Sequence, residues 1–93
     1  MKSEKTIKLS ATGVENIIKD LSLIIVSMDH IGSKYHDNPK QYAAETNKFL
    51  IDVKAFKTLA KIRGILSEAH ESQSTKEDVS RLEEEAEQLP YWR

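Results

Sequence analysis

His30, His36 and His70, together with Asp29 and Asp37, are the residue types that could ligate a metal, because imidazole nitrogens and carboxylate oxygens are the common donors to zinc. Their spacing does not suit that chemistry. No two histidines stand four residues apart, the step that sets two ligands on one helical face. The glycines Gly13, Gly32 and Gly64 are isolated, so no glycine-rich loop can cradle a phosphate. With no cysteine there is no thiol nucleophile, and no serine sits in a nucleophile-elbow context. Glu83 to Glu85 would suit carboxylate catalysis only in a buried setting, and as a run they read as a solvated face. The expectation is no catalytic centre, no metal and no cofactor.

Two other constellations point to binding. Lys54, Lys57 and Lys61 follow one another at helical steps, with Arg63 close by, and a stripe of this kind can meet phosphates. The chain as a whole carries a formal net charge of −1, which is not the balance of a dedicated duplex binder, so duplex nucleic acid is not expected as a partner. A small anionic or nucleotide ligand is the alternative for this stripe. Tyr35 and His36, and again Tyr91 and Trp92, are aromatic pairs outside the apolar periodicity, placed to stack on a base or anchor a partner protein.

These side chains must be positioned by helices. Val14, Ile17, Ile18, Leu21, Ile24, Ile25, Met28 and Ile31 recur at steps of three and four and predict a core helix over about 13–31, with Leu23 and Val26 widening the covered side. Thr12 with Glu15 reads as a capping box, and Gly32 as a left-handed C-terminal cap. Asn38 followed by Pro39 is an N-cap and first-turn pair. From there Tyr42, Thr46, Phe49, Val53, Phe56, Leu59, Ile62, Leu66 and Ala69 predict one long helix over about 39–71, weakened only at Gly64. Ser74 with Glu77 would cap a third helix over about 75–89, on which Val79, Leu82, Ala86 and Leu89 form a narrow stripe. Residues 1–11 read as a flexible arm.

The 93 residues suit a single domain near the lower size limit. The expected architecture is all-α, a three-helix antiparallel bundle or hairpin with one long central helix, completed by oligomerisation. A helix over 39–71 would approach about 50 Å, longer than so small a core can cover, which places its distal half, around Leu66, in a homodimer or higher assembly. Charge is segregated: Lys34 to Arg63 is mainly basic, whereas Gly64 onward carries eight acidic residues against Lys76, Arg81 and Arg93. Such halves can attract each other within one fold or across a symmetric interface. Charges within the apolar helix argue against a membrane span. The lack of cysteine and of a signal segment leads us to expect a cytoplasmic protein.

Tyr35-His36 with Pro39 shortly after, Ala55-Phe56-Lys57 with Leu59-Ala60, and Leu82-Glu83-Glu84 with Trp92 resemble the phage anti-CBASS sponge family over about the last sixty residues. The resemblance implies a small helical oligomer that sequesters cyclic oligonucleotide signals. It would assign Tyr35 and His36 to base contact and the basic stripe to phosphate contact. Read from the residues alone, the chain is expected to be a non-enzymatic helical interaction protein, of inhibitor or immunity type, that binds and blocks or bridges a protein partner. Tyr35, His36, Lys54, Lys57, Lys61, Tyr91 and Trp92 are its candidate contacts.

Overall fold

The computed structural model describes residues 5–92, in which four helices follow one another: α1 (Ala11–Lys34), α2 (Pro39–Asp52), α3 (Ala55–Gln73) and α4 (Lys76–Glu87). No strand occurs among the described residues. The class is all-α, with four helices in place of the three expected.

The difference lies in the long central helix, which divides at Val53-Lys54 and not at Gly64. Lys54 adopts a left-handed conformation with φ 53°. Its amide donates to the Ile51 carbonyl while its own carbonyl accepts from Thr58, so one residue closes α2 and opens α3. A left-handed lysine costs about 1–2 kcal/mol, and no side chain caps α3. The turn sends α3 back across α1, where Ala55 and Ile62 are buried. Burying an isoleucine contributes roughly 1.5–3 kcal/mol, enough to offset the strain. Gly64 lies inside α3 with open space around it.

The helix ends follow local chemistry, shifted from the expected positions. Ser10, not Thr12, caps α1 by accepting from the Gly13 amide at 3.0 Å, and a Cβ on Gly13 would sit 2.9 Å from that hydroxyl. Gly32 is no C-cap: α1 runs on to Lys34, and Gly32 instead presents a flat place to the Tyr42 ring. Asn38 caps α2, with Pro39 in its first turn, as the sequence predicts. Thr75, not Ser74, caps α4 by accepting from the Asp78 amide at 3.1 Å. The arm was expected to be flexible. Its first four residues lie outside the described residues, and from Lys5 it is tied down. The Gln73 side chain accepts from the Lys8 amide and donates to the Lys8 carbonyl, both at 2.7 Å, and Lys5 pairs with Asp78.

α1, α2 and α3 pack on one another, whereas α4 packs on α3 alone among the helices. Ile17, Ile24, Ala55 and Ile62 form the buried core. Of the eight residues on the apolar face of α1, only Ile17 and Ile24 are buried; Ile18 and Ile25 are exposed, as are Leu23 and Val26. The reason is the small number of helices: two neighbours cover one side of α1 and leave the next open. A compact chain of this mass exposes about 5,500 Å², whereas this one exposes 8290 Å². Its radius of gyration is 17.3 Å, against about 12 Å for a compact domain of this length.

Candidate functional site

The α2–α3 corner builds a concave surface. Leu50 and Ile51 at the end of α2, and Ala55, Phe56 and Leu59 at the start of α3, line a groove of about 590 Å³ with Lys54 and Lys57 at its rim. The left-handed turn at Lys54 makes it by directing α2 and α3 apart. Phe56, which the sequence periodicity assigns to the interior, is 86% exposed here, and Ile51 is exposed beside it. Neither lysine is in an ion pair among the described residues. The surface is therefore apolar with a cationic edge, suited to an amphipathic, anionic partner.

A second recess, of about 260 Å³, lies where α1 meets α2 and is lined by Gly32, Tyr35, His36, Pro39 and Tyr42. The Lys34 ammonium stands 5.4 Å from the Tyr35 ring centre, within cation–π range. His36 Nδ1 lies 3.1 Å from the Ser33 carbonyl and donates to it when that nitrogen carries the proton. This contact holds the imidazole at the end of α1. The recess has aromatic faces for stacking.

The predicted contacts thus fall in separate places. Tyr35 and His36 share the small recess, while Lys54 and Lys57 border the large groove. Lys61, one turn further along α3, lines neither. Tyr91 turns back onto α4, its hydroxyl donating to the Ala86 carbonyl at 2.7 Å, and so satisfies a helix-end acceptor. Trp92, in contrast, is 96% exposed. Sequence reasoning missed the groove's apolar lining: Phe56 and Leu59 sit on the apolar stripe expected of one long helix, and Leu50 and Ile51 lie off it. It also missed Tyr42, which shares the recess.

Electrostatics are most developed where the arm meets α4. Hydrogen bonds from the Lys5 ammonium and from Thr75 hold the Asp78 carboxyl below its ordinary value. Arg81 lies 3.2 Å from Glu85 one turn on, and 3.9 Å from Asp78. A cleft of about 350 Å³ between α3 and α4 carries Glu71 and Glu83 with Lys76 and Val79. Among the described residues, no three His, Asp or Glu side chains come together as metal ligands, and no helix is long and apolar enough to cross a membrane. No family model matches the chain, and neither a curated protein nor a solved structure matches it.

Proposed function

We propose that this chain is a non-enzymatic interaction protein: a small cytoplasmic helical module that self-associates and binds a protein partner, which it blocks or bridges. One observation carries the reading. The chain exposes about half as much surface again as a compact protein of its mass, and its exposed side chains include Ile18, Leu23, Ile25 and Val26 on α1 and Ile51 and Phe56 at the α2–α3 corner. Apolar patches of this kind mark interaction surfaces. Sedimentation over tens to hundreds of micromolar, followed by capture of a stoichiometric partner from the native host, tests it. A strictly monomeric chain that recovers no partner would overturn it.

A second reading has its own support. The Tyr35–His36–Tyr42 recess offers stacking faces, and the resemblance to cyclic-oligonucleotide sponges assigns Tyr35 and His36 to base contact. Lys54 and Lys57 of the basic stripe expected to meet the phosphates border a different surface. A thermal-shift screen with cyclic oligonucleotides separates the readings, because a ligand at a hundred times its Kd adds about 2.7 kcal/mol of stability. A raised midpoint that Tyr35→Ala abolishes would favour the sponge, and no shift with any nucleotide would remove it.

A further inference from the structure

We propose that the occupant of the α2–α3 groove is helix α4 of a second copy of this chain, seated reciprocally about a two-fold axis. The inference rests on the self-association reading above and names the surfaces that meet.

α4 has the complementary chemistry. Val79, Leu82 and Ala86 fall on one side of it, with Leu89 two residues past its end; Glu83 and Glu87 flank one edge, and on the other Asp78 pairs with Lys5 and Glu85 with Arg81. Leu82 and Leu89 are exposed, and α4 touches neither α1 nor α2 in its own chain. Val79 and Glu83 line the cleft towards the chain's own α3, which leaves the exposed Leu82, Leu89 and Glu87 for a partner. The groove is apolar and edged with Lys54 and Lys57.

Each surface is also mismatched to its own helix. A helix N-terminus is the positive end of the backbone dipole and the C-terminus the negative end. α3 begins with Lys54 and Lys57 and has no acidic residue in its first turn. The last turns of α4 carry Glu83, Glu84, Glu85 and Glu87, with no basic residue in the final turn. Bringing the acidic end of α4 to the basic start of α3 relieves both mismatches at once.

In its own chain α4 packs on α3 and makes no contact with α2, whose Leu50 and Ile51 line the groove; the donor is taken from another molecule. A two-fold pairing repeats the contact and so doubles the area it buries.

Charge exchange tests the pairing in the full-length chain. The wild type is expected to dimerise, with a Kd that rises as salt is added. It should also show a concentration-dependent blue shift of its single tryptophan, Trp92, which lies five residues past the end of α4. Lys54→Glu/Lys57→Glu and Glu83→Lys/Glu87→Lys should each weaken self-association about tenfold or more, with helical content by circular dichroism unchanged. Mixed together they should form a 1:1 heterodimer, because both reciprocal contacts then pair opposite charges. A dimer indifferent to both charge reversals, or folded variants that fail to pair with each other, would overturn this seating and leave self-association standing. A wild type monomeric throughout would overturn both. A monomer whose groove instead binds dodecanoate would give the site to an anionic amphiphile and likewise overturn the second-copy occupant.

Discussion

Ile24 and Ile25 are neighbours of identical chemistry, yet Ile24 is 6% exposed and Ile25 61%. The same split separates Ile17, buried, from Ile18, exposed. They belong to two overlapping series on α1, both stepping by three and four: Ile17, Leu21, Ile24, Met28 and Ile31, and Val14, Ile18, Leu21, Ile25 and Met28. Either could have faced the core. α2 and α3 take the first side, and the chain has no further helix for the second, since α4 stays on α3. The contrast teaches that the apolar content of α1 exceeds what this chain can cover. The remainder is left exposed.

The sharpest way to break the contrast is to truncate both members. Ile24→Ala should lower unfolding stability by about 2–5 kcal/mol, and Ile62→Ala, on the facing α3 surface, by a similar amount. Ile25→Ala should change it by less than about 0.5 kcal/mol when measured by urea denaturation at dilutions where the chain is monomeric. Equal losses at Ile24 and Ile25 would mean that both series are covered in the isolated chain.

Next comes the corner that decides which side of α1 is covered. Lys54→Gly should stabilise the chain by about 1 kcal/mol, because glycine adopts the left-handed conformation without strain. Should the same substitution destabilise it as a helix-interior glycine does, α2 and α3 would have to be one continuous helix. At the other turn, Asn38→Ala removes the acceptor for the Gln41 amide and should cost about 1 kcal/mol by the same denaturation measurement.

The smallest effect belongs to the arm and α4, the most loosely attached part. The Lys5 and Thr75 hydrogen bonds depress the folded Asp78 carboxyl below its ordinary value of 3.8. Unfolding therefore takes up a proton in acid: the contribution is fully present above pH 3.8 and is lost as pH falls below it towards the folded value. Acid unfolding monitored by the arm's amide protection should show this loss, and Asp78→Asn should remove the dependence. An unchanged acid profile in that variant would show that the arm is held by Gln73 alone.

What the sequence determined by itself is local. Periodicity at three and four residues settles the all-helical class, and Asn38-Pro39 marks a helix start whose signal is complete within one turn. The remaining caps were legible only to within a residue or two, since Ser10 and Thr12, or Ser74 and Thr75, offer equivalent hydroxyls. The chemistry of Lys54, Lys57, Tyr35 and His36 was legible too, but not that the first pair borders one recess and the second another. The break at Lys54 carries no glycine or proline, and its strain is compensated by Ala55 and Ile62 against α1, contacts made between residues distant in sequence. For the same reason Phe56 could not be told from a core residue. An apolar side chain on a helical stripe declares that it needs cover, and only the arrangement of the other helices decides whether its own chain provides it.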